Sequence, residues 1–289
     1  MYEGNANPRR VGAAVGVGGL VGAAVLCGCE TISQDLRDLA KGLMPPTPRE
    51  AAEQMLNPHE PDERREGTLL IANSPFGGVD VYIRAYRDRV MHEADPLVKA
   101  VSIRALARHG MPEDAPLIAE HLEHENVQVR WEAAKGLQRL HNPEVVPDLL
   151  AALRNVNGNS DVRAAAADAL GQYAEDRVFQ GLLAALDGRD LALNRAAGKS
   201  LWTLTGQEMG LDPRAWLSWY NAVEGDPFAG RQEYLFPTYH REDTWLERLA
   251  FWTSRVEEQP APPAGLRPGT QRRTYENSEL ESFGEEAGG

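Results

Sequence analysis

Apolar residues between positions 126 and 140 fall three or four apart, so that Val129, Ala133, Gly136, Leu137 and Leu140 line one stripe of an amphipathic helix. That stripe is too narrow to hold a fold alone, but the chain repeats it. Val98, Val129, Val162 and Leu193 open four similar segments at intervals of 31, 33 and 31 residues, the mark of a repeat array. Three positions before these anchors stand Asp95, Asn126, Asn159 and Asp190. Their short oxygen-bearing side chains suit the free amides of a first helical turn, each cap contributing about 1 kcal/mol. Eight positions after the anchors, Leu106, Leu137, Leu170 and Leu201 predict a shared ridge between stacked helices. Another helix precedes each segment, most clearly in Leu149-Leu150-Ala-Ala-Leu153 and again in Leu182-Leu183-Ala-Ala-Leu186. Each unit is therefore a helical hairpin, and hairpins this small gain stability by leaning on their neighbours.

The second-helix pattern Val129-Arg130-x-x-Ala133-Ala134-x-x-Leu137-x-x-Leu140, echoed by Val162-Arg163-x-x-Ala166-Ala167-x-x-Leu170, resembles the HEAT-repeat superfamily in its short bacterial form. The resemblance implies an all-α chain, a right-handed α-solenoid of HEAT-like helical hairpins over residues 61–222, with disordered or extended termini. The expected hairpins pair 79–91 with 96–108, 112–124 with 127–140, 143–154 with 161–173, and 176–186 with 191–204. The fourth copy departs from the pattern by placing Asn194 where the Arg stands in the others. A degenerate helix over 61–73 is the expected amino-terminal cap. Leu204-Thr205-Gly206, followed by Asp212-Pro213-x-x-Trp216-x-x-Trp219, looks like the closing element of bacterial HEAT-repeat lipoproteins. An aromatic helix there would cover the apolar face of the last repeat.

The flanks differ in character. Arg9-Arg10 precedes a Gly, Ala, Val and Leu run over 11–26, too short for the roughly 20 residues of a membrane-spanning helix, which predicts a signal peptide over 1–28. Leu26-Cys27-Gly28-Cys29 resembles the bacterial lipobox, making Cys29 the candidate lipidation site; a cut before Cys27 is the competing alternative. Residues 29–60 then form a tether with short helices, one of them starting at Thr47-Pro48. An aromatic run and an amphipathic stretch bearing Trp245, Leu249, Phe251 and Trp252 occupy 223–256. A Pro-, Gly- and Glu-rich tail over 257–289 is too poor in apolar residues to order itself and is expected to be disordered.

Composition narrows the chemistry. The 289 residues carry a formal charge of -13, which argues against a nucleic-acid partner. Both cysteines precede residue 30, so the body has neither a disulfide framework nor a thiol nucleophile. No G-x-S-x-G or phosphate loop is present. Deoxyhypusine hydroxylases of HEAT fold use His-Glu pairs for iron directly after the Val-Arg of the second helix. Here that slot holds Trp131-Glu132 and Ala164-Ala165, while the His-Glu pairs at 59, 92 and 124 lie near helix ends. His121-x-x-His124 puts two imidazoles on one helical face, a zinc geometry only if a third ligand converges. The expectation is no cofactor and no enzyme activity, with an accessory enzyme or metal-binding protein as the alternative. Six positions after the anchors come Arg104, Lys135, Asp168 and Lys199, and Arg108 and Arg139 follow the first two by one turn. With Trp131 and Glu132 they form a candidate face for a protein partner. The combined expectation is a lipid-anchored scaffold of the bacterial cell envelope, facing the periplasm or exterior.

Overall fold

A computed structural model describes residues 46–237 and 260–266. Expectations for the signal peptide, Cys29, the start of the tether, the amphipathic stretch at 243–256 and most of the tail lie outside those residues. Among the described residues there are eleven α-helices, joined by three short 3₁₀ turns, and no strand. One isolated parallel bridge pairs Leu140 with Ala264.

The first two helices form the amino-terminal cap. Helix α1 (Pro48–Met55) opens with a capping box in which the Thr47 side chain accepts from the Glu50 amide and Glu50 returns the contact, with Pro48 at the first turn. Helix α2 (Pro61–Asn73) spans the expected degenerate helix. It packs so closely on α1 that a Cβ on Gly67 would lie 2.3 Å from the Met55 nitrogen. Only glycine permits that approach.

Four hairpins follow. Helix α3 (Asp80–His92) pairs with α4 (Pro96–His109), and the short α5 (Ala115–Ala119) with α6 (Val127–Gly136). Helix α7 (Val146–Arg154) pairs with α8 (Ser160–Leu170), and α9 (Asp176–Ala185) with α10 (Leu191–Thr205). The second helices of successive hairpins pack on one another, α4 on α6, α6 on α8 and α8 on α10. This is an α-solenoid of HEAT-like repeats.

Every cap predicted from the repeat register is made: Asp95, Asn126, Asn159 and Asp190 each accept from the first-turn amides of their helix. The ridge leucines Leu106, Leu137, Leu170 and Leu201 are fully buried. The Arg of the Val-Arg motif has a structural task. Arg130 donates to the carbonyls of His124 and Glu125 (2.6 and 2.8 Å), and Arg163 donates to the Leu153 carbonyl (3.0 Å), so each ties the second helix to the chain entering it. Asn194 performs the same task in the fourth repeat, donating to the Gly188 carbonyl at 2.8 Å. The sequence departure thus preserves the contact.

Two expectations shift. The helix foreseen over 126–140 ends at Gly136, and residues 137–139 form tight turns. The released carbonyls find other donors: Gln172 Nε2 reaches Leu137 O at 2.9 Å, and Ala264 N–H reaches Arg139 O at 2.9 Å. The helix foreseen over 112–124 breaks into α5 between two 3₁₀ turns, with Pro112 and Pro116 each beginning a new turn.

Helix α11 (Pro213–Ala222) closes the array, capped by the Asp212 side chain. Trp216 is fully buried and meets Phe179 of α9 edge-on at 6.3 Å, while Tyr220 stacks on Phe179 at 4.3 Å. Gly206, with φ of 72°, ends α10 in the left-handed conformation that glycine adopts without strain.

Candidate protein-interaction face

The seven candidate partner residues divide sharply by environment. Arg104 on α4 is half exposed, and it makes a two-pronged ion pair with Glu132 on α6, whose carboxylate is almost fully buried. Arg108 donates to the Asn73 side chain at 2.8 Å, joining the first repeat to the cap. Lys135 and Arg139, expected on the partner-binding face, are each 8% exposed. The Lys135 ammonium lies 4.4 Å from the centre of the Trp131 ring, and the Arg139 guanidinium 5.0 Å from that of Phe236. Lys199, on α10, remains exposed. A continuous solvated cationic stripe is therefore not what the second helices present.

For Arg139 the cause is a segment that the repeat register cannot reveal. Residues 228–237 return along the C-terminal ends of the second helices, burying Phe228, Tyr234 and Phe236. Gln232 N–H donates to Thr203 O at 2.7 Å. Residues 260–266, expected within a disordered tail, lie beside them: Ala264 is buried, donates to Arg139 O and accepts from His141 N–H at 2.8 Å, and Phe236 N–H donates to Ala261 O at 3.1 Å. Three prolines among residues 260–263 restrict the unfolded chain, so docking them in extended form loses less entropy than for an ordinary tail.

Beneath this strap, Asp168 sits between Lys135 and Lys199. Burial pushes its carboxyl above the ordinary aspartate range, and the two ammonium groups offset only part of that. Tyr234 is buried, which raises its phenol well above the usual value, and the nearby Asp168 charge adds to the effect. Its hydroxyl has no hydrogen-bond partner among the described residues.

Toward the N-terminal halves of the same helices runs a trough of about 620 Å³. Ala164, Ala165 and Ala196 lie along it, with Trp131 toward α6, and Arg195 and Lys199 toward α10. Small residues keep it shallow and leave the indole edge accessible. The geometry suits recognition of a partner's side chains: an apolar floor, one aromatic wall and a charged rim in which Arg195 and Lys199 stand beside Asp161 and Asp168.

The histidine pair offers less. The rings of His121 and His124 are 6.1 Å apart, and His124 Nδ1 already accepts from the Asn126 amide at 3.0 Å. Burial, reinforced by Lys99 and His124, lowers the His121 pKa. Among the described residues, no group of three His, Cys, Asp or Glu is arranged to hold a metal. No described helix is long and apolar enough to cross a membrane.

Fold and face together define a helical-repeat scaffold. The family model described as HEAT repeats matches residues 83–159 and 115–202, so the helical hairpins in the middle of the chain are HEAT-like repeats. No curated protein matches the sequence. Among solved structures, human deoxyhypusine hydroxylase in complex with glycerol is 20% identical, covering 56% of this chain and 73% of its own, with a TM-score of 0.38. The complex of CpcE and CpcF of phycocyanin lyase from Nostoc is 21% identical, covering 55% of this chain and 77% of its own, also at 0.38.

Proposed function

We propose that this chain is a non-catalytic scaffold of the bacterial cell envelope, tethered to a membrane by lipid on Cys29 and facing the periplasm or exterior, whose second-helix face holds a protein partner. The trough beside Trp131 carries this reading. It combines an aromatic wall and an alanine floor with a rim of mixed charge, Arg195 and Lys199 beside Asp161 and Asp168, which suits an apolar segment flanked by charged residues of both signs. Anchoring rests on Leu-x-Gly-Cys at 26–29 following an apolar run; a second acyl chain beside the first makes membrane residence stable, where one gives only marginal binding.

Two measurements test the reading. Cys29→Ala should move the protein from the membrane fraction to the soluble one, and unchanged retention would refute the anchor. A photoreactive residue in place of Lys199, which is exposed where Lys135 is not, should crosslink one discrete protein in intact cells. That adduct should disappear with Trp131→Ala; no adduct, or one indifferent to Trp131, would refute the docking face.

A further inference from the structure

Residues 231–237 lie against the solenoid in the manner of a bound peptide. Tyr234 and Phe236 point inward and are 7% and 2% exposed, while Leu235 between them points out at 41%. This is the alternation of an extended chain whose side chains, two apart, enter successive pockets. The seat is built mainly by the solenoid, with residues 260–266 along one side: Arg139 supplies a cation to the Phe236 ring, and the C-terminal ends of α6, α8 and α10 supply the walls.

The fit is incomplete in two respects. Among the described residues the buried Tyr234 hydroxyl has no hydrogen-bond partner, although a phenol in such a position normally finds one and the half-buried Asp168 carboxylate is nearby. A cavity of about 280 Å³ stays open beside the strap, lined by Asp168, Lys199, Trp202 and Pro260 among others. The main chain adds the contact from Gln232 to Thr203, but Phe236 N–H turns away from the helices toward Ala261. An occupant with a void at its flank and an unsatisfied buried hydroxyl is one that a better-fitting segment can replace.

We propose that this seat is a peptide-binding site occupied by the chain's own residues 231–237, and that its exchange partner is an extended segment of another protein bearing aromatic residues two positions apart. The inference rests on the scaffold reading above and places a second contact beside the trough. The tether makes the internal strap a competitor at an effective concentration in the millimolar range, so a free peptide binds the closed chain weakly. Its apparent affinity falls by the fraction of chains in which the seat is open.

The test uses the full chain and a fluorescent heptapeptide, Arg-Gln-Glu-Tyr-Leu-Phe-Pro, which is residues 231–237. A chain carrying both Tyr234→Ala and Phe236→Ala should bind it at least tenfold more tightly than the unaltered chain, by fluorescence polarisation. The same peptide with alanine at both aromatic positions should bind neither. Equal affinity for the two chains, or no binding by a double variant whose helical circular dichroism and melting are retained, overturns the proposal. Should the double variant lose its helical signal, hydrogen exchange on the unaltered chain decides. Peptide at about 1 mM, matching the tethered strap, should speed exchange of the Gln232 and Ala264 amides at least tenfold, and unchanged exchange overturns the proposal equally. Failed peptide binding with a retained Lys199 crosslink refutes this seat alone, whereas loss of the crosslink refutes the scaffold reading.

Discussion

The two ends of the solenoid are finished by opposite means. At the amino end the closure is ionic: Arg64 donates to both oxygens of Glu93 (2.9 and 3.0 Å), Arg89 donates to the same carboxylate at 3.1 Å and also to the Met55 carbonyl, and the Asp95 amide completes the set at 3.0 Å. All three side chains are nearly buried. At the carboxy end the closure is aromatic, with Phe179, Trp216, Trp219 and Tyr220 packed between α9 and α11. Both devices solve the same problem, an end repeat with no neighbour to cover it. The amino-terminal cap contains Arg64, Arg65, Glu63 and Glu66, and its charges must be satisfied internally where they are buried. The carboxy-terminal helix offers ring surface instead, and its closure contains little that titrates near neutral pH.

The difference is broken most severely at the aromatic end. Trp216→Ala removes a fully buried indole that also donates to Gly210 O at 3.0 Å. It should destabilise the fold by about 3–5 kcal/mol, the range for large aromatic truncations. Urea denaturation followed by circular dichroism measures this. In a stacked array the damage should concentrate in α9 to α11, so hydrogen exchange there should rise while α2 and α3 stay protected. Uniform loss of protection along the whole chain would mean that the repeats unfold as one unit.

Glu93→Gln comes next. It leaves the Arg64 and Arg89 guanidinium groups without an anion in a nearly closed space, and removing one partner of such a buried set costs on the order of 3 kcal/mol. The pH dependence follows from the same geometry. Burial works to raise the Glu93 pKa, but the hydrogen bonds from Arg64 and from the Asp95 amide, with the Arg64 and Arg89 charges, outweigh it, and the net shift is downward. A depressed carboxylate contributes stability that is fully present above its unfolded value, near 4.5. That contribution is lost as pH falls through the folded value. Protection of the α1 and α2 amides should therefore fall on acidification in the unaltered chain, and should depend less on pH in Glu93→Gln.

The same contrast shows what the linear sequence can convey. Caps at Asp95, Asn126, Asn159 and Asp190 and the ridge from Leu106 to Leu201 are local signals repeated four times, and each is realised in the structure. The candidate face was legible only in part. Spacing placed Arg104, Lys135 and Lys199 on the second helices correctly, but the burial of their neighbour Arg139 depends on chain nearly a hundred residues away. Phe236 covers Arg139, and Ala264 pairs with Leu140, through contacts that have no period and so leave no trace in the register. The buried Tyr234 and Phe236 did show as aromatics beyond the last repeat. Their spacing of two, against the threes and fours of every helix before them, was the available hint of an extended segment.

The smallest expected effect sharpens the comparison because its sign is reversed. Asp168, beneath the carboxy-terminal strap, has its pKa raised chiefly by burial, with Lys199 and Lys135 pulling it back. Above its folded value, folding must hold a charge in a poorly solvated place. As pH falls from the folded toward the unfolded value, the native state binds the proton first and this penalty is relieved. Acid thus favours the fold at Asp168 while weakening it at Glu93. Asp168→Asn removes the titration but also leaves Lys135 and Lys199 facing a neutral amide, so the two consequences largely cancel at neutral pH. The expected change in stability is within about 1 kcal/mol, with a melting temperature that falls more steeply on acidification than in the unaltered chain. A steeper fall in Asp168→Asn together with a shallower one in Glu93→Gln would locate the acid sensitivity at the amino-terminal cap. A shallower fall in both would show that Asp168 is held as a stabilised anion, like Glu93.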